Sequence, residues 1–481
     1  MPPRSHAAGP NPPRRLSGED AVFVHAEMPS MLMHSLGTLI LDPSTVPGGR
    51  FDRAHLIRHV KKRIHQMPPF RQRLLEVPLS LGTPVLADDP DFRVENHVHR
   101  VVARRPGTPR ELALVVEEVA GQQLDRSKPL WEMWLVEGLA DGRCAVVTKM
   151  HHCMIDGASG ASQMANLLDF TPDAESPKPP RFRPAPLPSG WALLRGLLAN
   201  SRDPRELARL AQSTAAGLFD SVRAGNVASL LPDAPRTPWS GPAGTRRRVA
   251  FGSAPLDDIK IVKSAFGVTV NDAVLAACAL TLRRYLEARD ALPEQPLVCA
   301  VPVSLKSDQE LRHFSNKVSL MSVRLPTHLD DPAAIVRAVQ QETEAAKRSF
   351  EASDPELLLG WLDWAPGPLV TMGARLFVGL ELANHVPMPW NCVVSNMRGA
   401  PFPLYFAGAK VLATYPMGPA GDGVGVNITV LSNMDRLDFG VLAAGDTVPD
   451  VWDLADGFAT AVEELRAIAE QRGAIGAAGG A

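Results

Sequence analysis

The sequence predicts an α+β fold arranged as two lobes of similar size. Patterns typical of strands and of helices occur in both halves of the chain, without the strict β-α alternation that builds a parallel sheet. Seven prolines fall within residues 171–190, where they prevent a compact element and so mark a boundary between the halves. A chain of 481 residues is long enough to give each half its own apolar core.

This division gives four segments. Residues 1–15 are polar, basic and rich in proline, without the apolar segment of a signal peptide, so we expect a disordered tail. Residues 16–170 form the predicted N-terminal lobe. Residues 171–245 form a crossover linker that is rich in proline and helical in pieces, and residues 246–481 form the predicted C-terminal lobe.

The elements within each lobe are predicted from apolar periodicity and turn residues. Apolar residues spaced by three and four indicate helices, and short apolar runs bounded by glycine, proline or aspartate indicate strands. In the N-terminal lobe these patterns predict strands over 35–41, 135–136 and 144–150, and helices over 51–66, 110–124 and 158–168. In the C-terminal lobe they predict helices over 255–265, 270–287, 332–350 and 355–383, and strands over 296–302, 317–325, 390–395, 410–415, 425–431 and 437–442.

The charge and the cysteine content argue against two classes of protein. The chain has 50 basic and 52 acidic residues, so no overall positive field favours nucleic acid. The five cysteines are odd in number, and no two have C-x-x-C spacing. This argues against a disulfide framework and a structural zinc site, and it fits a reducing cytosol.

The apolar stretches are too short or too interrupted for a transmembrane helix, which needs about 18 or more apolar residues. The nearest candidate, residues 369–386, contains Arg375 and Glu381. Residues 191–198 and 357–386 are candidates for the wall of a lipid tunnel or for a surface that faces a membrane, and ordinary core helices are the alternative. We therefore expect any membrane contact to be peripheral.

The strongest local signal for function is the run HHCMIDG at residues 151–157. It follows an apolar strand and precedes a predicted helix, so a rigid scaffold presents the two histidines at a connection. Asp156 lies near the predicted N-terminus of that helix, where the helix dipole favours a carboxylate, and Gly157 permits a tight backbone. An imidazole with an ordinary pKa of about 6.5 is neutral at pH 7 and can accept a proton, which makes a histidine here a candidate general base.

Other interpretations of this segment stay open. Adjacent histidines can be packing residues. His152 and Asp156 have the i, i+4 spacing of metal ligands, although no third ligand lies nearby in the sequence, and we predict no metal site. Cys153 could be a nucleophile, but its apolar neighbours Met154 and Ile155 favour a small buried side chain instead.

Residues 151–157 resemble the H-H-x-x-x-D-G signature of coenzyme-A-dependent acyltransferases. Further segments resemble, in order, blocks of the bacterial wax ester synthase/diacylglycerol acyltransferase family, and the likeness runs from Leu16 to about Glu470. The combination is more specific than the histidine motif alone, which condensation domains and chloramphenicol acetyltransferases share. The matching segments are Ser127-Lys128-Pro129-Leu130-Trp131-Glu132, Val270-Asn271-Asp272-Ala273-Val274-Leu275, Pro302-Val303-Ser304-Leu305 and Ser395-Asn396.

The resemblance implies two related lobes of chloramphenicol-acetyltransferase-like fold, with a central tunnel and the catalytic histidine at its midpoint. Acyl-coenzyme A would enter from one side and the acceptor hydroxyl from the other. The acyl group would pass directly between them in a ternary complex, without an acyl-enzyme. No cofactor is expected, because acyl-coenzyme A is itself the substrate.

The resemblance also implies roles for the catalytic residues. His152 would deprotonate the acceptor hydroxyl and later protonate the leaving thiolate. His151 would be structural or orienting, and Asp156 with Gly157 would hold the loop.

The remaining motif residues have open or structural roles. Asn271 would donate to the oxyanion or position a substrate, and its alternative role is a helix N-cap before Asp272. Ser395 and Asn396 could line the tunnel or form a structural turn at a strand end. The positions expected to support the structure are Pro129, Leu130, Trp131 and Asp272, together with Asp438 and Gly440 of a D-F-G block.

The predicted function is transfer of a long-chain fatty acyl group from acyl-coenzyme A to diacylglycerol, to a long-chain fatty alcohol, or to both. The alternatives are an acyltransferase or condensation enzyme of the same fold with another hydroxyl acceptor, and a non-catalytic lipid-binding relative. The expected partners are acyl-coenzyme A and a lipid acceptor, with the oligomeric state left open. We expect a cytoplasmic protein, soluble or bound peripherally to the inner face of the plasma membrane or to lipid droplets.

Overall fold

Two large β-sheets organise the chain. The computed structural model describes residues 13–46, 48–154, 165–175, 179, 182–199, 209, 212, 234–305, 318–352, 361, 364 and 366–478. Within these residues the strands form sheets of seven, six and three strands, and helices pack on them. This mixture, without regular β-α alternation, confirms the predicted α+β fold class.

The strands of the described residues are numbered in chain order. Most are antiparallel to their neighbours, as expected for an α+β protein. They are β1 (Arg14–Arg15), β2 (His34–Asp42), β3 (Gln72–Leu75), β4 (Val85–Asp88), β5 (Val98–Val102), β6 (Trp131–Glu137), β7 (Cys144–His151), β8 (Leu168–Asp169), β9 (Arg247–Pro255), β10 (Leu297–Ser304), β11 (Val318–Leu325), β12 (Cys392–Arg398), β13 (Tyr405–Phe406), β14 (Ala409–Met417), β15 (Val426–Asn433) and β16 (Arg436–Ala444).

Several helices of the described residues begin with a side-chain N-cap. In two of them a threonine N-cap and an acidic residue three positions later form a capping box, Thr108 with Glu111 and Thr269 with Asp272. The helices are α1 (Gly18–Ala26), α2 (Arg53–Arg63), α3 (Pro109–Gly121), α4 (Gly190–Ala199), α5 (Leu256–Phe266), α6 (Val270–Glu287), α7 (Pro332–Ala352), α8 (Gly367–Gly379) and α9 (Val451–Ala478).

The seven-stranded sheet carries the histidine motif near its middle. Its order is β5-β6-β7-β2-β14-β13-β8, so β7 lies between β6 and β2 and is antiparallel to both. Every residue of β7 is buried, because apolar clusters cover both faces of the sheet. Alternate residues of β2 divide between these clusters, with Leu39 and Leu41 on one face and Leu36 and Ile40 on the other.

Two strands of this sheet come from the second half of the chain. Strands β13 and β14 fall within residues 246–481, the predicted C-terminal lobe. However, β14 pairs with β2 from Lys410 opposite Asp42 to Met417 opposite Leu36, and β13 joins β14 to β8. Residues 405–417 therefore complete the N-terminal sheet and fasten the two halves together.

The six-stranded sheet organises the rest of the second half. Its order is β11-β10-β12-β15-β16-β9, with parallel pairing only where β12 meets β10 and β15. Helix α6 is buried along most of its length against this sheet, and α9 packs on α6 and α5. The buried residues around α6 form a core of their own, while one cluster of the seven-stranded sheet also takes in Val249, Phe251 and Leu442 of β9 and β16.

Asp438 and Gly440 of β16 lie where the two large sheets meet. The buried carboxylate of Asp438 accepts hydrogen bonds from the backbone N of Thr414 in β14, at 2.9 Å, and from Oγ of Ser253 in β9, at 2.5 Å. A Cβ atom on Gly440 would lie 2.4 Å from the carbonyl oxygen of Pro416 in β14. The D-F-G block therefore contributes to the junction between the sheets.

Several element boundaries differ from the sequence predictions. Arg14 and Arg15, assigned to the disordered tail, pair with β4, whereas residues 1–12 lie outside the described residues. Residues 155–164, which include most of the predicted helix 158–168, also lie outside them, and Leu168–Asp169 is strand β8 rather than helix.

In the second half, the predicted helix 355–383 is interrupted at Pro366, because proline does not fit a helix interior. Helix α8 begins directly after this N-cap and ends at Gly379, four residues before the predicted end, and most of residues 355–365 lie outside the described residues. Strand β9 and helix α9 were not predicted.

Among the described helices, one bent pair has the length and composition of a membrane span. No single helix is both long and apolar enough to cross a bilayer. Helices α5 and α6 reach that length and composition only as a pair, and they are bent by 104° at their junction.

We predict that Gly440→Ala destabilises the protein because the added methyl group meets backbone of the other sheet. We expect the free energy of unfolding to fall by about 1–3 kcal/mol, the range typical of overpacked sites. The matched control is Gly37→Ala in β2, where a Cβ meets nothing within 4 Å. Urea titration of both variants measures the effect, and equal stability of the two would contradict the assigned contact.

Candidate active site

The backbone of the two adjacent histidines is fixed from both sides. Strand β7 ends at His151, and a single 3-10 turn, His152–Met154, follows. The His151 backbone N donates to the carbonyl oxygen of Leu130, before β6, at 3.0 Å. The His152 backbone N donates to the carbonyl oxygen of Met33, before β2, at 2.7 Å. The turn is therefore held by the chain segments that lead into both neighbouring strands.

The P-L-W motif supports this arrangement from one side. Pro129, Leu130 and Trp131 are all buried. The Trp131 indole donates from Nε1 to the carbonyl oxygen of Phe70 at 2.8 Å and stacks on the His97 ring at 4.6 Å between centroids. A buried tryptophan fixed in this way holds the start of β6, and with it the Leu130 carbonyl that binds His151.

His151 points into the protein interior. Its Nδ1 accepts a hydrogen bond from the Cys153 backbone N at 3.2 Å, and its Nε2 lies 3.7 Å from Oε1 of Glu27. Burial lowers the pKa of His151 to about 3, so the imidazole is neutral near pH 7. An inward-facing, neutral His151 is suited to orienting the turn.

Glu27 is the buried charge at the centre of this interior cluster. Its carboxylate accepts hydrogen bonds from Arg126 Nη2 at 2.7 Å and from Gln123 Nε2 at 3.1 Å, and Nε2 of His34 lies 3.2 Å away. Burial opposes ionisation, but the contacts with His34, His151 and Arg126 outweigh it and lower the pKa of Glu27 to about 2. The cluster therefore contains an ion pair between the Glu27 carboxylate and the Arg126 guanidinium. Burial also lowers the pKa of His34, so both buried imidazoles favour the neutral form.

His152 differs from His151 in its surroundings. Its side chain is only partly buried, and its ring lies against that of Phe23 in α1, with 4.5 Å between centroids and 33° between planes. Helix α1 thus covers one side of the His152 ring. Glu27 is the C-cap of the same helix, one turn after Phe23. The two histidines have distinct environments, one enclosed and the other partly accessible.

The structure bears on the alternative interpretations of the motif. Cys153 is fully buried, and burial raises the pKa of its thiol well above the ordinary value, which suits a small apolar residue rather than a nucleophile. Among the described residues, no group of three or more histidine, cysteine, aspartate or glutamate side chains could hold a metal ion. Asp156 and Gly157 lie outside the described residues.

The N-D motif lies at the start of helix α6. Thr269 is the N-cap, so the alternative assignment of Asn271 as the N-cap is wrong. Asp272 completes the capping box, and its other oxygen accepts from the Thr343 hydroxyl at 2.7 Å, which ties α6 to α7. Asn271 is partly buried in the first turn.

Ser395 and Asn396 lie within strand β12 rather than at a turn after it. They are opposite Thr429 and Val430 of β15 in parallel register, and both are partly buried. The interpretation of these two residues as a strand-end turn is therefore wrong. Their place is in the middle of the six-stranded sheet.

Sequence reasoning missed four side chains around the histidines. Glu27, His34, Arg126 and Phe23 meet only after β2 and β7 pair and α1 folds against the turn. A partial signal was available, since Glu27 and His34 are polar residues just before an apolar strand. Nothing local to Arg126 indicated its partner, which is 99 residues away in the chain.

Comparisons with solved structures first define the class of fold. The starter condensation domain of rhizomide synthetase superposes with a TM-score of 0.57 at 14% identity over 95% of this chain and 94% of that one. The wax ester synthase/diacylglycerol acyltransferase from Marinobacter aquaeolei VT8 superposes with a TM-score of 0.69 at 28% identity, over 95% of this chain and all of that one. The chain therefore has the two-lobed fold that these proteins share.

Sequence comparisons then identify the family. A family model of the wax ester synthase/diacylglycerol acyltransferase catalytic domain matches residues 16–274, and one of the corresponding C-terminal domain matches residues 314–466. A candidate diacylglycerol O-acyltransferase of Mycobacterium tuberculosis CDC 1551 is 37% identical over 94% of this chain and 90% of its own length. A second candidate diacylglycerol O-acyltransferase, from the H37Rv strain, is 34% identical over 93% of this chain and 97% of its own length. The chain belongs to the wax ester synthase/diacylglycerol acyltransferase family and is an acyltransferase.

We predict that His151→Asn makes the fold less sensitive to acid. The folded pKa of His151, about 3, lies below the ordinary value of 6.5, so only the unfolded chain binds this proton between those pH values. His151 therefore contributes its full stability above pH 6.5, and this contribution is lost as the pH falls towards 3. The slope of unfolding free energy against pH should decrease in the variant by up to about 1.4 kcal/mol per pH unit.

Urea titration at a series of pH values between about 7 and about 4 measures this slope. The matched control is His385→Asn, which changes an exposed histidine and should keep the wild-type slope. If His151→Asn also keeps the wild-type slope, His151 is not buried in its neutral form.

Proposed function

We propose that this protein transfers a long-chain fatty acyl group from acyl-coenzyme A to the hydroxyl of diacylglycerol, of a long-chain fatty alcohol, or of both. Family membership and the names of the relatives support this class of substrates. Acyl-coenzyme A serves as substrate, and no cofactor is needed.

The single observation that carries the proposal is the division between the two histidines. His151 is enclosed, neutral and next to Glu27, whereas His152 is partly accessible on a turn fixed by two backbone hydrogen bonds. A general base must reach a substrate hydroxyl and yet be held still, because misplacement by about 1 Å can cost about a hundredfold in rate. His152 meets both requirements, and His151 meets only the second.

The proposed reaction is a direct transfer. The His152 imidazole accepts the proton of the acceptor hydroxyl while the oxygen attacks the thioester carbonyl carbon. The tetrahedral intermediate then collapses, the carbon–sulfur bond breaks, and the imidazolium returns the proton to the coenzyme A sulfur. The products are the oxygen ester and free coenzyme A, and His152 ends as it began.

The other motif residues take supporting roles in this proposal. Asn271, Ser395 and Asn396 are candidates to donate to the developing oxyanion or to orient a substrate, since all three are partly buried polar residues on rigid elements. Glu27 and His151 act through position, by keeping the turn that carries His152 in place.

We predict that the release of coenzyme A from palmitoyl-coenzyme A requires hexadecanol or dioleoylglycerol as acceptor. We also predict that His152→Ala slows this release by about 10²–10⁴-fold, the usual contribution of a positioned base. Thiol release with each acceptor measures both claims, and the better acceptor identifies the ester that the enzyme makes. His385→Ala is the matched control, because it removes an exposed imidazole.

Circular dichroism and an unchanged unfolding transition must show that His152→Ala folds. Wild-type turnover together with an active, folded His152→Ala would show that another group is the base. A wild-type protein that releases coenzyme A with neither acceptor would contradict the proposed substrates.

A further inference from the structure

Large apolar side chains are exposed on three elements of the protein. Leu79, at the tip of a 3-10 turn, is 84% exposed, Trp191 in α4 is 75% exposed, and Leu369 in α8 is 57% exposed. Monomeric soluble proteins rarely expose large apolar side chains together. Whether these three form one surface depends on how their elements meet.

The turn that carries Leu79 touches both helices. A Cβ atom on Gly367, the first residue of α8, would lie 2.9 Å from the carbonyl oxygen of Ser80. One on Gly190, the first residue of α4, would lie 3.0 Å from Cγ of Pro78. The starts of both helices therefore pack against the residues on either side of Leu79, and the exposed side chains belong to one region.

Helix α8 extends this region into a stripe. Four apolar residues are at least half exposed, Leu369, Met372 and Leu376 within the helix and Leu380 just beyond its end. They are spaced by three, four and four residues, so they share one helix face. We call Leu79, Trp191 and these four residues the apolar platform.

Arginines lie beside the platform, two of them on its own helices. Arg375 in α8 and Arg195 in α4 are exposed, and Nη2 of Arg15 lies 3.6 Å from the position of a Cβ on Gly196 in α4. Exposed apolar side chains with arginines at their margin are typical of a surface that inserts shallowly into a lipid layer and contacts anionic headgroups.

The platform is connected to the candidate active site through one helix. Helix α8 packs against α1, and a Cβ on Gly367 would lie 2.6 Å from Nε2 of His25 in α1. Phe23, two residues before His25, contacts the ring of His152. A lipid layer at the platform would therefore lie on the far side of α1 from the proposed base.

We propose that the apolar platform docks on the surface of an anionic phospholipid bilayer, an inference that rests on the proposed use of a bilayer-dissolved acceptor. Such an acceptor must leave the lipid phase to reach His152, and docking shortens that path. The backbone at Leu79 supports the assignment. Its φ of 60° lies in the left-handed region that bulky residues avoid, and this conformation holds the side chain away from the body of the protein.

The test is flotation of the full chain with vesicles of phosphatidylcholine and phosphatidylglycerol. The double variant Leu79→Asn, Trp191→Gln removes the two most exposed side chains, and asparagine tolerates the left-handed backbone. We expect its partition onto vesicles to fall by about tenfold or more, given the transfer free energy of two large apolar side chains. The matched control is Phe170→Gln, which removes an aromatic ring that is 72% exposed outside the platform.

Headgroup charge and turnover complete the test. Arg195→Glu with Arg375→Glu should weaken flotation on the mixed vesicles more than on pure phosphatidylcholine. With palmitoyl-coenzyme A and a water-miscible alcohol, the Leu79/Trp191 variant should turn over at the wild-type rate, and it should lose rate only when diacylglycerol is presented in vesicles.

The outcomes separate the two proposals. Wild-type flotation without turnover would sustain docking and contradict the proposed function. Turnover without flotation, or equal flotation of wild type and the Leu79/Trp191 variant, would overturn docking. A dimer in sedimentation that the same variant abolishes, with no vesicle binding, would assign the platform to a second copy of the chain and also overturn it.

Discussion

The buried carboxylate of Glu27 is the interaction on which the site depends. An unpaired charge in this position would be unstable, so the Arg126 guanidinium must fold against it from a loop 99 residues away. Once the pair has formed, the enclosed imidazoles of His34 and His151 need carry no charge, and they pack as polar but neutral rings on opposed residues of β2 and β7. A single ion pair thereby lets two histidines lie side by side inside a protein core.

The position of the turn after β7 follows from the construction of the sheet. The backbone N of His151 and that of His152 donate to carbonyl oxygens just before β6 and β2, and β2 pairs on its other side with β14 from the second half of the chain. Asp438 ties β14 to the six-stranded sheet through Thr414. The lobes are therefore joined by shared strands as well as by side-chain packing, so the turn lies on a scaffold to which both halves contribute. Helix α1 adds the last constraint, with Phe23 on the ring of His152 and His25 against the start of α8.

The sequence predicted what local periodicity and local chemistry determine. The apolar run before His151 predicted β7, and the histidine pair at its end predicted the candidate site. Glu27 and Arg126 could not be paired in advance, because their contact depends on long-range strand register. The assignment of residues 405–417 to the N-terminal sheet depends on the same kind of information. Helix α9 is different, because Leu454, Phe458 and Leu465 already have helical spacing in the sequence and this signal was overlooked.

The most direct test of the account is the turnover number of Glu27→Gln, with palmitoyl-coenzyme A and the preferred acceptor, in a variant shown to fold by its unfolding transition. Glu76→Gln is the matched control, because Glu76 also binds Arg126, at 2.9 Å, but is exposed, and the structure gives it no contact with His34 or His151. If the buried carboxylate positions the turn, kcat of Glu27→Gln should fall by roughly ten- to a hundredfold while KM for acyl-coenzyme A changes little. The kcat of Glu76→Gln should stay at the wild-type value. A folded Glu27→Gln enzyme with wild-type kcat would contradict the claim that this charge holds the proposed base in place.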